Sequence, residues 1–343
     1  MGLATVRRNL CVVTLVLALF IPSAQAEEVV LPKLVLRIPL PDVEGRIDHL
    51  AIDLQGQRLF VAVLGNDTVE VIDLQTGRRI RTLRGFHEPQ GIAFIADLHE
   101  LAVTNGGDGT CELFDGQTFA RLHTISLSKD ADNVRYDPVT RRLYVGYGNG
   151  AIAVIDPSDG TLVGNIQLKA HPESFQLEAA GSRMYVNVPE AREIAVLDRA
   201  QQRTIAEWPT TVMGQANFPM ALDEARHRLF IGFRKPAKLA VLDTMSGTVV
   251  AAVDCVGDAD EILYDSARKR LYVSGGEGSL DVFTQASADT YRLLARIPTA
   301  VGSRTALYVP ERNQLFLAVP HHGSQSAEIR IYEDAVHVES VGS

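Results

Sequence analysis

The sequence predicts a seven-bladed β-propeller, and two features of the chain support that prediction. First, an element similar to Arg-Leu-Tyr-Val recurs seven times; we call its second residue the anchor, and it falls at positions 59, 101, 143, 184, 229, 271 and 315. Second, short runs of Val, Ile, Leu, Tyr and Phe, separated by turn residues, fill the segments between the anchors. A repeat of about 40 to 45 residues with four such runs is typical of one propeller blade.

The chain begins with a predicted secretory signal peptide over residues 1–26. Arg7 and Arg8 precede an apolar run from Leu10 to Ile21, and Ala24-Gln25-Ala26 supplies the small residues of a cleavage site. The apolar run is shorter than the ~18 residues expected of a transmembrane helix, and no later segment reaches that length. We therefore expect an exported protein, periplasmic or secreted, without a transmembrane segment.

The first repeat shows the predicted order of strands in a blade. Its four apolar runs cover residues 49–52, 58–63, 68–73 and 78–83. The turn before the fourth run contains Gly77, and the same turn contains Gly160 and Gly247 in two later repeats. Because tight turns often need a residue with a positive φ angle, glycine is expected at this point of a hairpin.

The last repeat predicts how the ring closes. Six repeats have four runs, but the seventh ends after three, at residues 329–332. Residues 33–40 (KLVLRIPL) form an unattached run ahead of the first repeat. Pairing this run with the seventh repeat would remove an exposed sheet edge. We therefore expect the propeller to occupy residues 27–334, followed by a C-terminal tail over residues 335–343.

An acidic residue six positions before the anchor accompanies an arginine one position before it in five of the seven repeats. The two repeats that lack the acid also lack the arginine. We therefore expect each pair to be a structural contact across the turn between the first two strands, not part of a functional site. The pairs are Asp53 with Arg58, Asp137 with Arg142, Glu178 with Arg183, Asp223 with Arg228 and Asp265 with Arg270.

The loops that lead into the innermost strands differ between repeats and are rich in His, Asp, Glu and Asn. In a propeller these loops, and those between the second and third strands, open on the same face around the central channel, where function tends to concentrate. Five of the nine histidines fall in these loops: His49, His87, His171, His321 and His322.

These loops predict a ligand site, with a divalent cation, at the channel mouth. Carboxylate and amide oxygens suit Ca²⁺ or Mg²⁺, and the histidines would also admit a transition metal. The same polar residues could alternatively cap backbone groups or solvate a water-filled channel. The expected metal ligands are Asp132, Asn133, Glu173, Asp260 and Glu261. The expected ligand-binding residues are Arg46 and Arg304, which suit an anionic group, with Asn217, His321 and His322.

Composition argues against several other functions. The formal charge of −9 becomes −11 once Arg7 and Arg8 are removed with the signal peptide, which disfavours nucleic acid and anionic membranes as partners. The chain has no P-loop and no G-x-S-x-G motif, so no nucleotide is expected. Trp208 is the only tryptophan, which argues against tryptophan-docked pyrroloquinoline quinone (PQQ). Cys111 and Cys255 lie in the second and sixth repeats, so no disulfide is expected.

The segments that follow the anchors resemble the YVTN-repeat β-propeller proteins of bacteria. They include residues 144–147 (YVGY), 185–188 (YVNV) and 272–275 (YVSG), and the resemblance covers residues 33–334. That family is largely exported and functionally diverse. Residues 131–138 (ADNVRYDP) resemble the Asp-Asn segment that supplies a calcium ligand in paraoxonases and gluconolactonases, which implies calcium binding by Asp132 and Asn133. Virginiamycin B lyase, a seven-bladed enzyme, is similar in placing His, Glu and Mg²⁺ at its channel mouth.

The sequence thus favours an exported propeller that binds a small ligand and a divalent cation. Two alternatives remain open at this point. One is a metal-dependent lactonase, esterase or lyase in which His49, His87 or His171 is the general base, because histidine titrates near neutral pH. The other is a protein-interaction scaffold. Metal content separates the scaffold from the other two functions, and turnover separates the enzyme from the binding protein.

Overall fold

Seven four-stranded antiparallel sheets make up the propeller, which confirms the fold expected from the repeat. The computed structural model describes residues 1–2 and 31–334. The predicted signal peptide lies outside the described residues apart from Met1 and Gly2, and so does the predicted tail at residues 335–343. Within residues 31–334 there is no α-helix, and no helix of the described chain is long and apolar enough to cross a membrane.

The first six blades each consist of four consecutive strands, numbered here from the innermost outward. Blade 1 contains β2 (Leu50–Asp53), β3 (Arg58–Val63), β4 (Thr68–Asp73) and β5 (Arg78–Arg84). Blade 2 contains β6 (Pro89–Ile95), β7 (Glu100–Asn105), β8 (Thr110–Asp115) and β9 (Arg121–Ser126). Blade 3 contains β10 (Ala131–Asp137), β11 (Arg142–Tyr147), β12 (Ala151–Asp156) and β13 (Thr161–Gln167).

Blades 4 to 6 follow the same plan. Blade 4 contains β14 (Phe175–Leu177), β15 (Arg183–Val188), β16 (Glu193–Asp198) and β17 (Arg203–Pro209). Blade 5 contains β18 (Gln215–Asp223), β19 (Arg228–Lys235), β20 (Ala237–Asp243) and β21 (Val249–Asp254). Blade 6 contains β22 (Ala259–Asp265), β23 (Arg270–Gly275), β24 (Ser279–Ser287) and β25 (Thr290–Pro298). Short 3₁₀ turns lie at Leu64–Asn66, Glu224–Arg226 and Pro310–Arg312.

Blade 7 combines strands from both ends of the described chain, as expected. It contains β26 (Ala306–Val309), β27 (Gln314–Val319), β28 (Glu328–Glu333) and the outermost strand β1 (Lys33–Pro39). Strands β1 and β28 run antiparallel, with Ile38 opposite Ile329. Because both residues are buried, the closing pair also adds to the core.

The hydrophobic core consists of seven clusters, and each cluster lies between two neighbouring blades. Between blades 1 and 2, for example, the ring of Phe60 stacks on that of Phe94 with 5.7 Å between centroids. Cys111 and Cys255 are buried in separate clusters as free thiols, as expected for residues of distant repeats. The ring is therefore held together by packing between blades.

The recurring turn glycines have the conformation that the sequence predicted. Gly77, Gly160 and Gly247 have φ angles of 62°, 72° and 72°. In the first of these turns, Asp73 Oδ1 accepts a hydrogen bond from the backbone N–H of Thr76 at 2.7 Å. The carboxylate thus fixes the hairpin between the third and fourth strands.

The predicted acid–arginine pairs form in only two of the five blades. Asp53 contacts Arg58 at 2.5 Å and Glu178 contacts Arg183 at 2.7 Å. The other three expected contacts are wrong. Arg142 and Arg228 each pair with an aspartate at the end of the third strand, and Arg228 lies directly opposite its partner. Arg270 pairs with a residue beyond the last strand. The observed pairs are Arg142 with Asp156, Arg228 with Asp243 and Arg270 with Asp334.

The acids of these three blades nevertheless hold the turns, as expected. Asp137 and Asp265 accept hydrogen bonds from the backbone N–H groups of Val139 and Ala267, each at 3.0 Å. Asp223 caps a 3₁₀ turn by accepting from the N–H of Arg226 at 3.3 Å. Their charge is thus used by the turn between the first two strands.

Candidate ligand and cation site at the channel mouth

A sharp turn leads into most innermost strands, and its key residue lies thirteen positions before the anchor. Five of these residues have positive φ angles between 50° and 83°: Glu88, Asp130, Ala216, Asp258 and Gly302. Strands β6, β10, β18 and β22 then show a break in register close to their first residue. A β-bulge redirects side chains, and in β10 the two residues within it, Asp132 and Asn133, reach the channel.

A small cavity, here called the mouth cavity, lies where these loops meet. Its volume is about 20 Å³, which is enough for one water molecule. Four of its lining residues are carboxylates. The cavity is lined by Arg46, Asp48, His49, Asp132, Asn133, Glu173, Ser174, Phe218 and Asp260. The structure therefore brings together four of the five expected metal ligands, together with Arg46 and His49.

Two arginines balance part of this negative charge. Arg46 Nη2 lies 2.9 Å from Asp48 Oδ2 and 3.6 Å from Asp260 Oδ2. Arg234 Nη2 lies 2.6 Å from Asp260 Oδ1, and its guanidinium stacks 4.0 Å above the ring centre of Phe218. The side chain of Arg46 is 46% exposed, so it is free to turn into solvent. Arg234 is instead held in place by stacking and by its ion pair.

His49 lies between two carboxylates on the channel wall. Its Nδ1 is 3.5 Å from Glu261 Oε2, and its Nε2 is 3.6 Å from Asp48 Oδ1. Burial alone would lower the pKa of His49, but the interactions with Glu261 and Asp48 outweigh it and raise the pKa to about 9. The imidazole therefore carries a positive charge at neutral pH, which does not suit a general base.

His171 is also enclosed by acidic groups. Its Nδ1 lies 2.7 Å from the carbonyl oxygen of Gly148 and 3.5 Å from Asp130 Oδ2, while its Nε2 lies 4.0 Å from Asp132 Oδ2. Burial opposes its charge, but the attraction of Asp132, the hydrogen bond to Gly148 and the charge of Asp130 raise its pKa to about 9. His171 is therefore a second positive group beside the mouth cavity.

The carboxylates of the mouth cavity are difficult to ionise together. Burial, followed by repulsion from Asp132, raises the pKa of Glu173 to about 8. Burial also raises the pKa of Asp260 to about 6, although Arg234 opposes this change. The pKa of Asp48 is raised by burial as well, against the attraction of His49 and Arg46. The pKa values of three of the four carboxylates are thus raised even though positive groups lie beside them.

Several oxygen atoms around the mouth cavity have no hydrogen-bond partner. They are both carboxylate oxygens of Asp48, Asn133 Oδ1 and Ser174 Oγ. Asp48 is 1% exposed, and although Arg46 is close to it, no donor is aligned for a hydrogen bond to either of its oxygens. Buried polar atoms in folded proteins normally have a partner. These oxygens are thus free to accept a hydrogen bond or to bind a cation.

The other expected site residues lie apart from this cluster. His87 is exposed, 3.9 Å from Asp108, and His322 is exposed on its loop. His321 contacts Glu44 at 2.8 Å, and Arg304 contacts Asp258 at 2.9 Å. Asn217 is fully buried and donates to Asn187 and to the carbonyl oxygen of Glu193, so its amide joins blades 4 and 5.

A second cavity, here called the channel cavity, lies along the inner faces of the blades and has a volume of about 260 Å³. Glu261 and His49 line it, together with Arg135, Gln176 and Tyr264. Glu261 therefore belongs to the channel cavity and is not one of the residues lining the mouth cavity.

The donor set of the mouth cavity suits a cation, but its present arrangement is not a preformed metal site. Within residues 31–334, no three His, Cys, Asp or Glu side chains converge closely enough to hold a metal ion. The unpartnered oxygens of Asp48 and Asn133 are hard ligands of the kind that Ca²⁺ and Mg²⁺ prefer. Binding a cation there requires the carboxylates to turn toward it and Arg46 to move away from Asp48.

Fold and site together define an all-β protein of seven blades with an acidic, histidine-bearing channel mouth. Curated proteins with similar sequences include one that is described as a seven-bladed β-propeller. The chain is 22% identical to the protein YncE of Salmonella typhimurium over 241 residues, which cover 65% of this chain and 67% of the relative. It is 26% identical over 141 residues to a seven-bladed β-propeller protein of Mycobacterium tuberculosis, which covers 39% of this chain and 36% of that protein. The chain is thus similar to YncE proteins, and its fold is a seven-bladed β-propeller.

Solved structures support the fold alone. A chain of the mitotic checkpoint complex superimposes with a TM-score of 0.75 at 14% identity, covering 94% of this chain and 99% of that one. A chain of hydrazine synthase from Kuenenia stuttgartiensis gives a TM-score of 0.74 at 17% identity, covering 89% and 98%. No protein-family model matches the chain. Its activity must therefore be argued from its own residues.

Proposed function

We propose that this protein is exported and binds a small ligand, together with a divalent cation, at the mouth of its central channel. The observation that carries the proposal is the set of buried, unpartnered oxygens of Asp48, Asn133 and Ser174, which line one cavity. Leaving buried acceptors unpaired costs free energy, about 1–3 kcal/mol each. A bound cation or ligand donor would remove that cost.

The raised pKa values of the carboxyl groups support a cation in particular. Asp48, Asp132, Glu173 and Asp260 share a cavity of about 20 Å³, and burial raises the pKa of three of them. A divalent ion would stabilise their ionised forms together, which the neighbouring arginines and histidines do not achieve. The ligands Asp48, Asp132, Asn133 and Glu173 are all oxygen donors, so Ca²⁺ or Mg²⁺ is favoured over a transition metal. Bound there, the cation would supply positive charge for a polar or anionic group of the ligand.

The test is calcium and magnesium titration calorimetry on metal-free wild-type protein and on Asp48→Asn. We expect one saturable site in the wild type and an affinity about tenfold lower or worse in Asp48→Asn, because a buried charged ligand is lost. The replacement keeps the shape of the side chain, and circular dichroism checks that the fold is retained.

Asp159→Asn is the matched control. Asp159 lies in the turn between β12 and β13, where Oδ1 accepts from the N–H of Thr161, so its removal should leave cation affinity unchanged. Equal weakening by Asp48→Asn and Asp159→Asn would reject the assignment. So would an absence of saturable binding to the wild type, which would favour a protein-docking role for the propeller.

A second candidate function is hydrolysis or elimination at the same site. It is favoured by the two histidines next to the mouth, each paired with carboxylates: His49 with Glu261 and His171 with Asp132. Because both carry a positive charge at neutral pH, they fit the stabilisation of developing negative charge better than proton abstraction. Turnover of lactones and esters that is lost in His171→Gln, with the fold retained, would support this function. Binding without turnover would leave the protein as a binding protein.

A further inference from the structure

The innermost strands place one residue of each blade at an equivalent level of the channel, eight positions before the anchor. These residues have the same register in every blade, as in the pairs Ala51 with Phe60 and Arg135 with Tyr144. Six of the seven are uncharged, and five of those are alanine or leucine. The set is Ala51, Ala93, Arg135, Gln176, Ala221, Leu263 and Leu307. Arg135 is thus the single departure in charge from an otherwise neutral ring.

The guanidinium of Arg135 has no carboxylate partner. Within residues 31–334, no acidic oxygen lies within 4.0 Å of it. Its Nη1 donates to the neighbouring carbonyl oxygen of Val134 at 2.9 Å, and its guanidinium lies 5.7 Å from the ring centre of Phe175. The side chain of Arg135 is only partly buried. A guanidinium that lines a cavity and has no counter-ion in the described chain is available to bind an anionic partner.

Arg135 lines the channel cavity. The volume of this cavity, about 260 Å³, is below the range typical of pockets that bind drug-sized ligands. The one acidic residue of that cavity, Glu261, is already paired with His49 at 3.5 Å. Aliphatic side chains, including Leu263 and Leu307, form much of the remaining wall. The cavity therefore offers one unpaired positive charge, a wall of aliphatic side chains beside polar groups, and little space.

We propose that Arg135 binds the carboxylate of a small organic acid in the channel cavity. A guanidinium matches a carboxylate through two parallel hydrogen bonds. A single negative charge balances the single unpaired positive charge, whereas a phosphate would bring a second negative charge close to Glu261. Gln176, next to Arg135 in the ring, donates through Nε2 to the carbonyl oxygen of Met220 and leaves Oε1 to accept from a hydroxyl group of the acid.

This inference rests on the proposed use of the channel as a binding site, and it names the chemical class of the ligand. The mouth cavity would hold the cation, and Arg135 would hold the anionic end of the ligand further along the channel. The acid would enter with its carboxylate leading and its apolar body against the aliphatic wall.

The test uses butyrate, 3-hydroxybutyrate and benzoate as probes, with butyramide as an uncharged match for butyrate. Binding to wild-type protein in metal-free buffer is followed by ligand-observed NMR and calorimetry. We expect at least one of the acids to bind, butyramide to bind about tenfold more weakly than butyrate or not at all, and Arg135→Gln to lose the acid. Arg142→Gln, on the next strand, removes an arginine that is already paired with Asp156 and should leave binding unchanged.

Thermal unfolding of Arg135→Met tests the inference without knowledge of the ligand. Because methionine removes a partly buried charge that has no counter-ion and keeps the apolar stem, Tm of the ligand-free protein should rise by about 1–2 °C. A fall in Tm would show that the guanidinium stabilises the fold and would overturn the inference. So would failure of all three acids to bind the wild type, or equally tight binding of inorganic phosphate.

Calcium titration of the same samples separates the two proposals. Wild-type protein that binds an acid but no calcium would reject the cation and leave the role of Arg135 standing. Wild-type protein that binds calcium but none of the acids would reject the role of Arg135 and leave the cation site standing.

Discussion

Replacing Arg199 by methionine should destabilise the propeller strongly, because this arginine joins two blades through buried contacts. Arg199 comes directly after β16 of blade 4, and its side chain is almost fully buried. Nη1 donates to the carboxylate of Asp137 at the end of β10 in blade 3. The remaining donors bond backbone carbonyl oxygens of blade 4, at Glu178, Gly181 and Ser182. The guanidinium therefore has partners on every side.

The size of the effect follows from these contacts. Breaking a buried ion pair by removing one partner typically costs about 3–5 kcal/mol. Asp137 would keep its hydrogen bonds from the Val139 N–H at 3.0 Å and the Thr140 hydroxyl at 2.8 Å. The carboxylate of Asp137 therefore keeps part of its stabilisation after the arginine is removed. We expect a loss of about 3 kcal/mol in the free energy of unfolding. For a domain of this size that corresponds to a fall in Tm of about 4–8 °C.

Urea unfolding followed by the fluorescence of Trp208 provides the assay, since this single tryptophan lies in blade 4 and packs 5.7 Å from Tyr185. A double-mutant cycle with Asp137→Asn should give a coupling energy of about 1–3 kcal/mol. Arg142→Met is the control, because that arginine pairs with Asp156 at a partly exposed site and should contribute less than about 1 kcal/mol. Equal losses for Arg199→Met and Arg142→Met, or a cycle without coupling, would refute the reasoning.

Three further predictions concern the mouth and the core. Arg46→Gln should raise calcium affinity several-fold in calorimetry, because it removes a positive charge from the cation site; weaker binding would show that Arg46 supports the site instead. Gly91→Ala should lower both Tm and calcium affinity, because a Cβ atom there would lie 2.2 Å from the carbonyl oxygen of Asp132; an unchanged variant would contradict this close approach. Cys111 and Cys255 should not react with a thiol reagent at pH 8 in the native protein, since burial raises each pKa to about 12; labelling without denaturant would show that the blades open.

Most of the fold could be predicted from the sequence because the repeat provides seven independent observations of one unit. The predicted outer strand at residues 33–40 is observed as Lys33–Pro39, and the third run of the last repeat is observed as Glu328–Glu333. The turn glycines made the positions of the hairpins predictable, because a positive φ angle restricts which residue can occupy the turn. Alternation within a strand and turn chemistry are local properties, so linear sequence is sufficient to recognise them.

Contacts between blades could not be predicted in the same way. Asp137 and Arg142 lie close in sequence and in the expected register, yet the buried partner of Asp137 is Arg199, 62 residues further along the chain. Spacing within one repeat carries no information about which neighbouring blade supplies a side chain. Asn217 illustrates the same limit: the sequence predicts it in a loop that leads to the channel, but it lies in β18 and is buried between blades 4 and 5.

The site itself is best recognised by comparing equivalent positions across the blades, since a propeller needs similar residues at each of them for packing alone. The seven residues eleven positions before the anchor include four acids. They are Asp48, Gln90, Asp132, Glu173, Phe218, Asp260 and Arg304. Among the seven residues eight positions before the anchor, the only charged one is Arg135. Negative charge is therefore concentrated at the mouth and an unpaired positive charge lies further inside. If the proposed ligand binds, such an arrangement would orient it by its charge, with a cationic group or bound metal outermost and an anionic group innermost. Neither level alone would fix the direction in which the ligand enters, because the acids at the mouth would attract only its cationic end and Arg135 only its anionic end. The orientation would therefore be a property of the two levels together.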